Sequence, residues 1–251
     1  MTLENKVCLI TGGGSGIGRA TANKMAKEGA RIIVVGRTQT KIDETVSSIK
    51  KDGGYASGYA TDVSDQALVD DLVSSVIQEH SKIDLLLNNA GHSSKHRRLT
   101  TTTATEIQSV IDSNLIGTIY CSQAVVPYMI SAEEGTIINV ASIAGLSPSN
   151  LGGMIYSAVK AAVINFTGFL NDDLKNTGIR ASVVIPGEVD TPILDNRPIP
   201  PDENARAKMV TAEDTAEAIS MIARLPLRTN IPELQIRPTF VRDNSGEIEK
   251  I

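Results

Sequence analysis

Tyr156 and Lys160 stand four residues apart, the spacing that stacks two side chains a turn apart on one helix face. The pairing suits acid–base chemistry. A phenol titrates near pH ~10 in water, too high for an efficient base at neutral pH. A lysine ammonium about 6 Å away, at an effective dielectric of about 20, favours the phenolate by roughly 3 kcal/mol, or about two pK units. The spacing alone proves little, since five tyrosines and a lysine frequency of about 5% yield roughly 0.24 such pairs by chance. Its weight comes from company: Ser142 lies 14 residues upstream, Asn114 lies further back, and a glycine-rich loop sits near the N-terminus.

That loop is Thr11–Gly18, TGGGSGIG. Gly12, Gly14, Gly16 and Gly18 let the backbone turn tightly and approach a pyrophosphate, while Ser15 and Ile17 start the following helix. The helix N-terminus adds open N–H groups and the positive end of its dipole. The spacing is Gly12-xxx-Gly16-x-Gly18, not the commoner G-x-G-x-x-G.

These residues need elements to hold them. Short aliphatic runs alternate with amphipathic ones along the chain. Strands are predicted at Lys6–Thr11, Arg31–Val35, Tyr55–Thr61, Ile83–Leu87, Thr136–Val140, Arg180–Ile185 and Leu234–Ile236. Helices are predicted at Ile17–Glu28, Lys41–Lys51, Ala67–Glu79, Thr105–Ile130 (broken or bent near Pro127), Tyr156–Lys175 and Ala212–Ala223. Continuous Val/Ile/Leu runs mark strands buried on both faces. Alternating β and α segments imply an α/β fold, a parallel sheet with helices on both faces. Thr191–Asp202 holds four prolines in twelve residues and takes a lid position past the sixth strand.

In this order the motifs resemble the short-chain dehydrogenase/reductase family. TGxxxGxG follows the first strand, and Asn88-Asn89-Ala90-Gly91 follows the fourth. Asn114 sits in D-S-N-L-I-G, Ser142 closes the fifth strand, Tyr156-xxx-Lys160 opens the next helix, and Pro186-Gly187 closes the sixth strand. The resemblance spans roughly residues 5–240. It implies a single doubly wound Rossmann-type domain over residues 1–251, with a seven-stranded parallel sheet and a substrate lid at about 191–210. It also implies an oxidoreductase that interconverts a small-molecule carbonyl and a secondary alcohol by hydride transfer, with Tyr156 as general acid/base. Ser142 would hydrogen-bond the substrate oxygen, Lys160 would also hold the nicotinamide ribose, and Asn114 would position water for a proton relay. Pro186, Gly187, Val189 and Thr191 would surround the nicotinamide. Asp62 and Val63 would meet adenine, and Asn88, Ala90 and Gly91 would line the adenosine ribose side. The family implies a dimer or tetramer built through the Thr105–Ile130 and Tyr156–Lys175 helices.

The end of the second strand selects the cofactor. An acidic side chain there accepts from a ribose 2′-hydroxyl and repels a 2′-phosphate. The chain reads Val34-Val35-Gly36-Arg37-Thr38, so the acidic position is a glycine and a guanidinium follows, which matches phosphate geometry. NADP(H) is therefore expected over NAD(H), with Thr38 and Lys41 in support. Ser15 stands where some NADP-binding relatives carry a basic residue.

Other features bound the answer. The chain has 251 residues, 41% hydrophobic and 21% charged, a net charge of −5, eight aromatics and no Trp. That is too apolar for disorder, acidic for a nucleic-acid binder, and poor in stacking groups for single strands. No apolar run of about 18 residues is present, so no membrane partner is expected. Cys8 and Cys121 read as buried thiols, and the N-terminus shows no leader pattern, which suggests a cytoplasmic protein. His92-xxx-His96 lacks a third ligand, so no metal is expected. Lys95-His96-Arg97-Arg98 reads as a solvated basic loop, with contact to an anionic substrate or cofactor as the alternative. The substrate walls are expected to include Ser94, Leu146, Met154, Glu188 and Ile193, a mostly apolar set with one carboxylate. The tail, Ile231–Pro238, resembles the branch with NADP-dependent 3-hydroxy acid and serine-type dehydrogenases. A cofactor-binding sensor without chemistry and a cofactor-retaining isomerase remain as alternatives, and intact Asn114, Ser142, Tyr156 and Lys160 weigh against the first.

Overall fold

The computed structural model describes residues 2–248. Strands form where the aliphatic runs lie: β1 (Val7–Thr11), β2 (Arg31–Gly36), β3 (Tyr55–Ala60), β4 (Leu85–Asn88), β5 (Gly135–Val140) and β6 (Ile179–Pro186). All pair in parallel with β9 (Glu233–Ile236) into one seven-stranded sheet of order β3-β2-β1-β4-β5-β6-β9. The order reverses direction at β1, so the strand ends on either side of it splay apart and leave a crevice there. A two-residue pair, β7 (Val189–Asp190) with β8 (Val210–Thr211), brackets the segment between them.

Helices α1 (Gly16–Lys27), α2 (Gln39–Lys51) and α8 (Ala212–Arg224) cover one face, with Ile10, Met25, Ile32, Ile42 and Ile219 in its core. On the other face α3 (Gln66–His80), α5 (Gly117–Ala132) and α6 (Met154–Asp173) bury Leu9, Ile33, Val73, Leu86, Val125 and Ile137. Consecutive strand residues alternate between the two cores, as a pleated sheet covered on both sides requires. This is the doubly wound α/β arrangement expected from the pattern.

Two expectations need correction. The long helix does not break at Pro127, which lies inside α5. It breaks fifteen residues or so earlier, where α4 (Ala104–Ile111) gives way to a π-helical turn at Asp112–Ile116 that carries Asn114. A widened turn of this kind ejects one residue from the regular ladder and re-aims its side chain. Moreover, the stretch Ala104–Ala132 is long and apolar enough, by length and composition, to cross a membrane. Here its residues Cys121, Val125 and Met129 pack into the sheet core.

The segment 191–210, expected as a lid, holds a short 3₁₀ turn, Pro192–Asn196, then α7 (Glu203–Arg206). Arg206 ties it down by pairing with Asp190 at 2.8 Å and with Asp195.

Candidate active site

The crevice at the strand ends begins with the glycine loop. Gly12 adopts φ +65°, and a Cβ there would come within 2.7 Å of Asn89 Nδ2 and 3.0 Å of Ala90 Cα. Only glycine tolerates both demands. Asn89 Nδ2 donates to the Thr11 and Gly12 carbonyls at 3.0 and 3.3 Å. The Thr11 hydroxyl accepts from the Asn89 and Ala90 N–H groups, both at 3.0 Å. The loops after β1 and β4 are thereby fixed to each other. Ser15 occupies the N-cap of α1 without a side-chain cap, and the first turn holds no acidic residue. By contrast Asp65, Thr103 and Thr211 cap α3, α4 and α8 with their own oxygens. The N–H groups at the start of α1 are thus available to an anion.

At the far end of the crevice, a cavity of about 180 Å³ is lined by Gly14, Gly36, Arg37, Thr38, Lys41 and, opposite, Asp62, Val63 and Ala90. Arg37 lies 3.9 Å from Asp62. Burial pushes the Asp62 carboxyl up, but hydrogen bonds from Ser64 and the charge of Arg37 outweigh it and hold the group below its ordinary value. Gly12, Ser15 and Gly91 belong both to this cavity and to a second one of about 260 Å³. The second is walled by Asn114, Ser142, Tyr156, Lys160 and, across from them, Pro186, Gly187, Val189 and Thr191; Gly16 and Ile17 complete its floor. One continuous cleft therefore runs from Arg37, past the open end of α1, to Tyr156. A phosphate-accepting helix end flanked by a guanidinium on one side and a buried polar cluster on the other fits a nicotinamide dinucleotide.

In the polar cluster, Ser142 lies two residues past β5, at the cap of a short 3₁₀ turn, and its Oγ accepts from the Ala144 N–H at 3.2 Å. Lys160 is buried, donates from Nζ to the Val140 carbonyl at 2.9 Å, and lies 5.5 Å from the Tyr156 ring centroid. Asn114 donates to the His92 and Val110 carbonyls, each at 2.9 Å. Its Oδ1 is buried without a partner among the described residues, an acceptor waiting for a donor. Gly91 is required beside it, since a Cβ there would lie 2.3 Å from that oxygen.

The charges do not sit as the Tyr–Lys spacing alone suggests. Burial pushes the Tyr156 phenol up from its ordinary value, opposed by the Ser142 hydrogen bond and by the charges of Arg97 and Arg197. Burial also drives Lys160 down to about 8. The Ser142 hydroxyl and the two pocket arginines oppose the effect of burial on the phenol, while burial disfavours the lysine's own charge.

Not every expected residue reaches the cleft. Asn88 is the last residue of β4 and points into the helical face, where Nδ2 donates to Asn139 Oδ1 at 2.9 Å and Ser122 Oγ at 3.1 Å. Its neighbour Asn89 lines the cavity instead. Gly18 packs on the Gly12 carbonyl and supports the loop from behind. Of the expected substrate walls, Glu188 and Ile193 are present, but Ser94, Leu146 and Met154 lie outside. Ser94 is buried away from the cavity, Leu146 points to solvent, and the Met154 N–H is spent on the Arg97 carbonyl. The wall holds Ile143 and Leu151, Arg97, for which contact with a substrate or cofactor was the alternative to a solvated loop, and Arg197, which the sequence did not single out. His92 bonds Ser109 and Ser113, and His96 bonds Glu106, so the two histidines face different partners.

The short chain dehydrogenase family model matches residues 6–200. An uncharacterized oxidoreductase of Staphylococcus epidermidis is 32% identical over 94% of the chain and 98% of its own length. A serine dehydrogenase solved in its closed form with NADP⁺ is 29% identical with a TM-score of 0.84, covering 98% of this chain and 100% of its own. A short chain dehydrogenase/reductase from Burkholderia phymatum solved with NAD is 30% identical, with a TM-score of 0.81 over 93% and 90% of the two chains. The protein belongs to the short-chain dehydrogenase/reductase family. It is a nicotinamide-dependent oxidoreductase of that family.

Proposed function

We propose that the protein interconverts a carbonyl and a secondary alcohol on a small molecule, using NADP(H) in preference to NAD(H), with Tyr156 as general acid/base. The observation that carries this reading is the gathering of Ser142, Tyr156, Lys160 and Asn114 on one cavity continuous with the open end of α1 and with Arg37. The bound nicotinamide supplies or accepts the hydride. Ser142 holds the substrate oxygen, and Tyr156 gives that oxygen a proton in reduction or removes it in oxidation. Lys160 would hold the nicotinamide ribose, and the orphan Oδ1 of Asn114 would order a water that resupplies the proton. Arg37, Thr38 and Lys41 would hold a 2′-phosphate, with no carboxylate at Gly36 to repel it. The serine dehydrogenase relative with NADP⁺ supports that preference.

Tyr128 and Ile130 on α5 and Phe169 on α6 are exposed and support a dimer or tetramer formed through these helices. The two buried free thiols, Cys8 and Cys121, support a cytoplasmic setting.

Incubation with NADPH and a carbonyl panel tests the reading. Tyr156→Phe should lower turnover by ~10²–10⁴-fold while leaving NADPH binding intact by fluorescence titration. Retained turnover in that variant sinks the mechanism. Binding without turnover across a broad panel indicates a sensor, and product without net cofactor change indicates an isomerase.

A further inference from the structure

Beyond β9 the chain returns to the wall of the reaction cavity. The Gly187 N–H donates to the Ile236 carbonyl at 2.7 Å, and a Cβ on Gly187 would lie 3.0 Å from Pro238 Cδ. The chain leaving β9 thus lies on the Pro186-Gly187 turn, which lines the cavity. Phe240 and Val241 are exposed. Arg242 then turns inward with a side chain only 7% exposed, and Glu247 follows at 11%. Between them, Asp243 Oδ1 accepts from the Ser245 N–H at 2.9 Å, and the Glu247 N–H donates to the Asn244 carbonyl at 3.0 Å. These two bonds shape the short turn that carries Glu247 back.

Arg242 and Glu247 join two residues of the cavity wall, Glu188 and Arg197. Glu188 Oε1 accepts from Arg197 Nη1 and Nη2 at 3.1 Å and from Arg242 Nη2 at 2.6 Å, and Oε2 accepts from Arg242 Nε at 2.8 Å. Glu247 Oε2 accepts from Arg197 Nη1 at 2.8 Å and from Arg242 Nη2 at 2.9 Å, and its Oε1 accepts from Arg242 Nη1. Two guanidiniums and two carboxylates form a quartet with no formal net charge. No side chain in it is more than 20% exposed. Charges held this far from water are weakly screened, so any imbalance among them reaches further than at a surface. Among the described residues, the charged side chains lining the cavity are Arg97, Lys160, Glu188 and Arg197, and the last two belong to the quartet. Burial raises the Tyr156 phenol; against it work the Ser142 hydrogen bond, the charge of Arg97 and that of Arg197.

We propose that Arg242 and Glu247, which touch no reacting group, are positioning residues for the acid–base step: they hold Arg197 against Glu188 and cancel the charge of this wall in the cavity that contains Tyr156. This rests on the reading of Tyr156 as the acid–base group and adds to it the residues that set its charge surroundings. Two neighbours on one short tail then have opposite effects. Glu247→Gln leaves the quartet with one excess positive charge, which favours phenolate. Arg242→Gln leaves one excess negative charge, which favours the neutral phenol. The double glutamine variant is balanced again. A unit charge roughly 10 Å from a titrating group, at an effective dielectric of about 20–40, moves it by about 0.5–1 pH unit. A tail that only braced the wall would not invert the sign, since either substitution loosens the same contacts.

The test compares the full chain with Glu247→Gln, Arg242→Gln and the double variant. Each is paired with a version that also carries Tyr156→Phe. The difference in near-ultraviolet phenolate absorbance within each pair isolates the Tyr156 titration, and it is measured with and without NADP⁺. In parallel, the pH profile of kcat/KM is recorded with the carbonyl–alcohol pair that the panel above identifies. Relative to the parent chain, Glu247→Gln should titrate lower by ~0.5–1 pH unit, Arg242→Gln higher by a similar amount, and the double variant close to the parent. Shifts of the same sign in the two single variants overturn the proposal, as does a titration that ignores all three. If Arg242→Gln does not fold, a lowered Glu247→Gln value that the double variant restores supports it, and an unmoved value refutes it. If no carbonyl is turned over, the hydride-transfer reading fails on its own, and the absorbance titration still decides whether the quartet governs the phenol.

Discussion

Lys160 offers the sharpest check on the electrostatics of the site. Burial takes its ammonium from the ordinary 10.5 to about 8. Because the folded value is the lower one, the unfolded chain holds this proton more tightly between those two pH values. Stability therefore rises with pH across that window, and the full penalty is carried below pH ~8. The gap corresponds to about 3 kcal/mol. Lys160→Met fills a similar volume and has no proton to lose, so its stability lacks this component. Between pH 7 and 10 the difference in unfolding free energy should move by ~2–3 kcal/mol in favour of the wild type. Urea unfolding of both proteins at pH 7, 8.5 and 10 measures it, because the other titrating groups are shared and cancel. The lost bond from Nζ to the Val140 carbonyl offsets the two curves by ~1 kcal/mol with little pH dependence. A difference that stays flat over this range refutes the argument that burial, rather than pairing, sets the lysine's charge.

Three further outcomes follow from named contacts. Arg37→Asp should lower kcat/KM for NADPH by roughly tenfold or more and spare NADH, and an unchanged ratio of the two in steady-state assays refutes the assignment. Asn139→Leu breaks the chain from Asn88 through Asn139 to Thr167, whose links are both 2.9 Å; it should cost ~2–4 kcal/mol by chemical denaturation, and a loss under ~1 kcal/mol would show the chain to be dispensable. Arg242→Ala leaves Glu188 and Glu247 sharing one arginine in a buried setting and should destabilise by ~3 kcal/mol. Adding Glu247→Gln should recover part of that loss, and strict additivity in the double mutant would deny the coupling.

The parts of the site that were legible in the sequence are those fixed by local spacing. The glycine loop, the Tyr156–Lys160 pair and the Pro186-Gly187 strand end owe their placement to a turn, one helix face and one strand terminus. What escaped depends on register or on distant contacts. Asn88 and Asn89 differ by one position at a strand end, and that step decides which points into the helical core and which into the cleft. The turn at Asp112–Ile116 is made by packing and carries no proline or glycine of its own, whereas Pro127 is accommodated within a helix held against the sheet. Arg97 looked solvated because its neighbours are charged, and its burial comes from Leu151 and Met154, more than fifty residues on.

Those distant contacts change what the reaction centre is. The protein alone pushes both members of the Tyr156–Lys160 pair toward neutrality, the phenol up and the ammonium down to about 8. A neutral phenol is the form that donates a proton, the role Tyr156 would take in carbonyl reduction. Removing a proton from an alcohol requires phenolate, and the groups that pull toward it are Ser142, through its hydrogen bond, then Arg97 and Arg197. Arg197 is screened by the quartet with Glu188, Glu247 and Arg242. An acidic chain can thus hold an anionic cofactor by placing a few cations where they are needed, not by its overall charge.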